Sequence, residues 1–336
     1  MTAASTLDET LIRLHEYGPE FDGWLSNHGP MAVEAMIRHG RADAVDRWTD
    51  QYVKRLDEGP GPARPLTADE FDHAMGNPKL AGEWLATFEV ELAESDWPDV
   101  LAAWWPRLLP GIAAGATHGV IRTGHAVLAL RRGPTEPRVR ELGHALAYWA
   151  MRWQRVPAIE PRGRADAADV LARLPTIASQ SGGIRPRLAQ LLDTTGFVET
   201  AESLAPADQV PQALTDLIDA VVLGYAGWAP GSPTMLVHAA TAPNAVLRTL
   251  PSLPTQLWRA SFAAAWSASA AVVAAYRPGT DAPARPGPAA DEAFRTTVEH
   301  ASEHMIKFAD TALETFGRTG DERALAAIGQ AVRLGA

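Results

Sequence analysis

Ten histidines are spread along the chain, and four of them lie among small residues: Asn27-His28-Gly29-Pro30, Thr117-His118-Gly119, Gly124-His125-Ala126 and Gly143-His144-Ala145. Small neighbours leave room beside an imidazole for a metal ion or a ligand, although a single histidine is more often a hydrogen-bonded core or surface group. A sharper cluster closes the chain. His300 and His304 are four apart and Lys307 follows three later, so one helix spanning all three would carry them on one stripe. A His-x-x-x-His pair on a helix can clamp a metal. No Glu follows the first histidine, so the zinc-protease motif is absent. Lys307, between Ile306 and Phe308, is one of three lysines (with Lys54 and Lys79) among 30 basic residues, in a chain that otherwise uses arginine. One reading is a lysine whose stem covers the core. The other uses what arginine lacks: a desolvated lysine can lose its proton. The neutral amine can then act as a base, form a Schiff base, or add CO2 to become an anionic carbamate.

Other chemistries drop out. With no cysteine among 336 residues there are no disulfides, thiolate metal sites or cysteine nucleophile. No Gly-x-Gly-x-x-Gly follows a strand, no phosphate loop ends in Gly-Lys-Ser/Thr, and no Gly-x-Ser-x-Gly elbow is present. A formal charge of −10, from 40 acids and 30 bases, argues against a nucleic-acid surface. No apolar run approaches the ~20 residues of a membrane span. The opening MTAASTLDETLIRLHEYG has acids where a signal peptide carries bases and an apolar middle, so a soluble, cytoplasmic protein is expected.

The elements that must position these residues read as helices. Apolar residues recur at helical spacing in 79–94 (Leu80, Trp84, Leu85, Phe88, Leu92), 206–224 (Leu214, Leu217, Ile218, Val221, Val222) and 289–316 (Phe294, Val298, Met305, Phe308, Leu313). Neither period-two alternation nor a hairpin turn is evident. Proline and glycine punctuate the chain at 59–65, 134–137, 157–163 and 278–288, the last a loop before two final helices. Gly111, Gly115 and Gly119 fall four apart, which on one helix would give a bare face for a close neighbour. His118, Arg122 and His125 share a stripe at spacings of four and three. At about 150 residues per domain the length suggests two domains. With apolar helices resuming after every break, the expectation is one all-α, bundle-like domain over 1–336 with an internal metal site.

Four blocks resemble the questin oxidase-like family of aromatic polyketide pathways. They are Asn27-His28-Gly29-Pro30-Met31 with Glu34; the run 115–126, GATHGVIRTGHA; His238-Ala239-Ala240-Thr241-Ala242 followed by Leu250-Pro251-Ser252-Leu253-Pro254; and Glu303-His304-Met305-Ile306-Lys307. They fall in the family's order and span nearly the whole chain. The resemblance implies an O2-dependent oxygenase that opens a ring of an anthraquinone-like polyketide, by a Baeyer–Villiger-like or dioxygenase-type step. It implies non-haem Fe(II) held by His28, His118, His238, His304 and carboxylated Lys307, with His125 as the competitor for the place of His238. It also associates the reaction with NADPH, for which the chain carries no recognisable motif.

Imidazole and carboxylate ligation suits Fe(II) oxygenases, and a carbamate would lower the centre's charge from +2 to +1. Arg122 then becomes a candidate holder of a substrate anion, with a structural ion pair as its other reading. Asn27, Thr117 and Glu303 become candidates for orienting the imidazoles. Tryptophan, at 11 residues, outnumbers Phe at 8 and Tyr at 5, each taken singly. Trp104, Trp105, Trp149, Trp153, Trp228 and Trp266 could stack on a flat substrate, with core filling the stronger reading. Two rival classes remain: a metal-free polyketide carrier, and a zinc or manganese hydrolase or lyase using the same ligands.

Overall fold

A computed structural model describes residues 3–23, 25–283 and 285–336. The chain is all-α. Among the described residues the named strands are a two-residue ribbon, β1 (Glu20–Phe21) against β2 (Leu25–Ser26), antiparallel with Glu20 opposite Ser26. No helix among the described residues is long and apolar enough to cross a membrane.

Where the sequence suggests one domain, contacts divide the chain into two compact units. The first holds Met1–Arg155 and Arg248–Leu257; the second holds Val156–Leu247 and Trp258–Ala336. None of the three crossings falls inside a proline–glycine stretch, though the first comes just before 157–163, which is why composition gives no clear linker.

In the first unit, α1 (Ala3–Leu14), α2 (Gly29–Arg38) and α3 (Ala42–Tyr52) precede the short α4 (Phe71–Ala74). Then come α5 (Ala81–Glu94), α6 (Trp97–Leu108), α7 (His118–Arg131) and α8 (Glu136–Met151). Helices α7 and α8 pack on each other and form the centre, with α2 against α7 and α1, α5 and α6 against α8. They are buried over most of their length, polar groups included, so their charged residues must be paired internally. The 79–94 stripe forms α5 as expected: Trp84 and Phe88 are fully buried, and Phe71, Trp84, Phe88 and Trp104 make one aromatic cluster.

The three spaced glycines do not share a helix. Gly111 ends a 3-10 turn and Gly115 lies in a left-handed run, φ +52° there, +58° at Ala116 and +70° at Thr117, before α7 starts at His118. Their bareness serves aromatic rings instead. A Cβ on Gly115 would sit 2.2 Å from the Tyr148 hydroxyl, and one on Gly119 2.7 Å from the Trp149 ring.

The second unit contains α9 (Ala167–Arg173), α10 (Ile184–Leu188), α11 (Phe197–Glu202), α12 (Val210–Trp228), α13 (Pro233–Leu236) and α14 (His238–Thr249), whose last residues belong to the first unit. After these come α15 (Trp258–Tyr276), α16 (Ala290–Glu299), α17 (Glu303–Thr319) and α18 (Arg323–Leu334). Helix α12 is central, packed by α9, α15, α17 and α18, and buries the five apolar residues its periodicity marks. Helix α15 is buried on every side from Ser261 to Tyr276 apart from Ala264, as its almost uniformly small and apolar sequence requires.

Three helices, not two, follow the 278–288 loop, because the 289–316 pattern breaks. Ala301 turns left-handed (φ +57°) and separates α16 from α17. The tryptophans marked as substrate platforms mainly fill cores: Trp104, Trp105, Trp149, Trp228 and Trp266 are buried, and the indoles of Trp149 and Trp266 donate to Gly111 O and Ala201 O.

Candidate functional site

Each unit brings part of the expected ligand set together. In the first, the β-ribbon delivers the chain to Asn27-His28, and α2 begins immediately after. Asn27 fixes this corner through the backbone: its amide donates to Gly18 O, and its carbonyl oxygen accepts from Gly29 N. It clamps the loop through these backbone groups. Orienting the imidazoles falls to carbonyl groups. His28 Nδ1 donates to Ser26 O, and His118 Nδ1 donates to Gly115 O, the carbonyl that the left-handed run aims back at the first turn of α7. Thr117 contributes the strained backbone, and its hydroxyl has no partner.

With each Nδ1 carrying the proton, both Nε2 atoms carry lone pairs, and these face each other. The His28 and His118 Nε2 atoms are 2.7 Å apart, with ring centroids at 4.3 Å and planes at 80°. Both residues are buried. Two acceptors that close repel unless a proton or cation lies between them. A proton there would charge an imidazole in a buried site, or break a ring-to-carbonyl bond by switching tautomer. A divalent ion asks for neither. Two nitrogens bound at ~2.1 Å and at right angles stand roughly 3 Å apart, close to the separation seen. The donor chemistry fits a metal.

The other chain features of this region are polar and unsatisfied. The hydroxyls of Ser26, Thr117 and Tyr148 and Nη1 of Arg122 are buried without hydrogen-bond partners. Each is tied to the histidine pair by chain adjacency, by the helix turn after His118, or by packing against Gly115. A native interior leaves few such groups, so a cluster of them marks a place for something polar.

Arg122, the candidate holder of a substrate anion, and His125, the competitor for a ligand place, are both engaged. Arg122 makes a bidentate ion pair with Glu141, at 2.6 and 2.8 Å, and Glu141 also accepts from His15 Nε2 at 2.8 Å. The ion-pair reading therefore accounts for two of the three guanidinium nitrogens. His125 Nδ1 donates to Glu34 Oε2 at 2.8 Å, linking two of the sequence blocks.

In the second unit, His238 opens α14 and His304 lies in the first turn of α17, with ring centroids 5.3 Å apart at 77°. His238 Nδ1 donates to Met235 O at 3.1 Å, which again leaves the lone pair on Nε2. Burial, with the charge of nearby Lys307, holds the His238 imidazole down to about 3, so it is a neutral donor. Lys307 is 1% exposed, and its Nζ has no hydrogen-bond partner. Burial pulls its ammonium down to about 7 against the opposing effect of Glu303, so much of it is the neutral amine near pH 7. Glu303 acts here on Lys307 by its charge, one turn earlier on α17.

The His300–His304 clamp is not formed. His300 caps α16, is exposed, and donates through Nδ1 to Thr296 O, while the break at Ala301 puts His304 on the next helix. His238, which no spacing rule pairs with His304, stands beside it instead. Sequence reasoning also missed the His15–Glu141–Arg122 network and the stacking of His15 on His144. His15 and Glu141 are 126 residues apart, and no spacing reports such a contact. Compared with protein-family models and with curated proteins, the chain matches none.

Proposed function

We propose that this chain is a non-haem iron, O2-dependent oxygenase that opens a ring of an anthraquinone-like aromatic polyketide. In this reading His28, His118, His238, His304 and carboxylated Lys307 hold the ion. The observation that carries the metal part is the His28–His118 contact, where two lone-pair nitrogens meet at 2.7 Å with their protons committed to carbonyl groups. The buried, unpartnered amine of Lys307 supports the carbamate. The reaction and substrate class rest on the family resemblance of the four sequence blocks. Cytoplasmic location belongs to the same reading, since a ferrous ion suits a reducing compartment.

Iron bound by neutral imidazoles and one carboxylate would supply open positions for O2 chemistry. The remaining roles fall to this chain's residues. Carbonyl groups of Ser26 and Gly115 hold the rings of His28 and His118 in the tautomer that presents Nε2. The Lys307 amine would attack dissolved CO2: an N–C bond forms, one C–O π bond opens onto oxygen, and the proton lost from nitrogen passes to solvent, leaving the carbamate. The hydroxyls of Tyr148 and Thr117 and Nη1 of Arg122 are the donors available to a phenolate or quinone oxygen. NADPH, if used, serves as an external reductant.

Metal analysis of chain purified without chelator tests this. The expected result is one iron per chain and O2 uptake with a hydroxyanthraquinone. Both should be lost in His118→Ala and, independently, in His304→Ala, one variant from each unit. Zinc or manganese without O2 uptake would favour the hydrolase or lyase class. No stoichiometric metal would leave the carrier.

A further inference from the structure

We propose that the first unit carries a second ligand site, a cleft with His15 and His144 at its floor that takes a neutral, hydroxyl-bearing apolar molecule. The cleft has a volume of about 730 Å³, within the range of small-molecule pockets. It is lined where the end of α1 and the 59–60 turn meet α5 and α8. It involves neither His28 nor His118 and does not depend on the iron reading.

Its walls explain an oddity of α5. Leu85 and Leu92 belong to the apolar stripe yet are only partly buried, unlike Trp84 and Phe88. Together with Phe88 and Val139 they form the apolar lining, which suits a flat or branched hydrocarbon body. Bare Gly143 keeps this region tight, since a Cβ there would meet Leu92 at 3.0 Å.

The floor is polar and pre-arranged. His15 stacks on His144 with ring centroids 4.3 Å apart and planes at 29°. The chain Arg122–Glu141–His15 fixes the first ring through Nε2, and leaves Nδ1 of a residue that is 8% exposed without any partner. Burial, aided by His15, Arg122 and Arg140 and opposed by Glu141, holds His144 well below the usual imidazole range. A neutral imidazole offers one donor and one acceptor, which is what a hydroxyl group complements.

Charge at the rim selects the rest. Glu16, Glu89 and Glu136 are exposed around the opening against Arg140, so carboxylates and phosphates are repelled.

Calorimetric titration of the full chain with 2-naphthol, 2-naphthoate and naphthalene tests the assignment. The expected result is one 2-naphthol per chain, bound at least tenfold more tightly than either analogue. His144→Phe should weaken 2-naphthol at least tenfold, and Leu92→Trp should abolish binding by filling the cleft, both with iron content unchanged. Should either core variant fail to fold, the exposed pair Glu89→Gln/Glu136→Gln decides: it should improve 2-naphthoate binding and leave 2-naphthol unchanged. Equal binding of all three probes, or binding indifferent to every folded variant, overturns the proposal.

Discussion

Replacing Glu141 by Leu removes one partner from a buried ion pair, and the cost can be worked two ways. Arg122 and Glu141 are 1% and 3% exposed, and the carboxylate accepts three hydrogen bonds, two from the guanidinium and one from His15. Breaking such a pair by deleting one side typically costs about 3–5 kcal/mol, because the other charge stays buried and uncompensated. The carboxyl gives a second figure. Burial pushes its pKa up, but the charge and hydrogen bonds of Arg122, with His15, outweigh burial and hold it at about 2 against an ordinary 4.5. That depression is worth about 3 kcal/mol of folded-state stability. The two figures agree. Since the folded value is depressed, the stabilisation is complete above about pH 4.5 and is lost as pH falls toward about 2. For a unit of this size the loss should lower Tm by roughly 6–20 °C at pH 7. Melting followed by circular dichroism on metal-free protein, at pH 7 and at pH 3, is the assay. Glu141→Leu should melt far lower than wild type at pH 7, with the gap narrowing, not vanishing, at pH 3. Arg122→Met/Glu141→Leu should recover most of the loss, since apolar replacement of a whole buried pair is close to neutral. That double variant also separates the ion pair from the proposed substrate role of Arg122: stability returns, while O2 uptake by the proposed iron centre should stay lost because Nη1 is gone. A Glu141→Leu melting point within 3 °C of wild type would refute the reasoning.

Lys307→Met deletes a buried amine without a partner and keeps its volume. Metal-free protein should therefore melt at the same temperature or higher, while the proposed iron binding should be lost. In ¹³C-bicarbonate the wild type should show a carbamate resonance near neutral pH, and Lys307→Arg should not; a resonance surviving in that variant would move the carbamate elsewhere. Gly119→Ala drives a methyl to within 2.7 Å of the Trp149 ring and 2.9 Å of its Cα, so unfolding should show a loss of about 1–3 kcal/mol. Ala116→Gly works the other way. Relieving a left-handed alanine gains about 1–2 kcal/mol, and the added freedom of glycine in the unfolded chain returns about 0.5–1, so a small net stabilisation should be measured in urea. The same variant should bind iron less tightly, as the carbonyl behind His118 loosens.

Local pattern was readable and long-range pairing was not. The stripes at 79–94 and 206–224 marked α5 and α12 because one buried face on a helix writes itself into spacing. At 289–316 the apolar spacing runs on through the break, and nothing in His300-Ala301-Ser302 announces a left-handed residue, so spacing alone groups His300 with His304 where the fold parts them. The four-residue glycine spacing was real, but its cause was aromatic packing onto Trp153, Tyr148 and Trp149, not a bare helix face. His28, His118 and Lys307 were each singled out by their neighbours or by residue choice. That the first two would meet through Nε2, each held from behind by a carbonyl, depends on a turn 90 residues away and leaves no trace in either local sequence.

The costs in the first unit are concentrated, and that concentration is itself informative. Within residues 26–28 and 115–122 lie two left-handed non-glycine residues, two facing lone pairs, and three buried polar groups without partners. Each left-handed residue costs about 1–2 kcal/mol, and each unsatisfied group about 1–3. A stretch shaped for stability alone would shed them: glycine at 116, and alanine for the hydroxyls of Ser26 and Thr117. By contrast, the similarly buried carboxylate of Glu141, one helix away, has both oxygens satisfied by Arg122 and His15. The same fold therefore pairs its charges where it needs only to pack and leaves lone pairs and hydroxyls exposed to one another at His28 and His118. The difference is what binding of a cation there would resolve, since an ion between the two Nε2 atoms removes the repulsion that the apoprotein must otherwise carry.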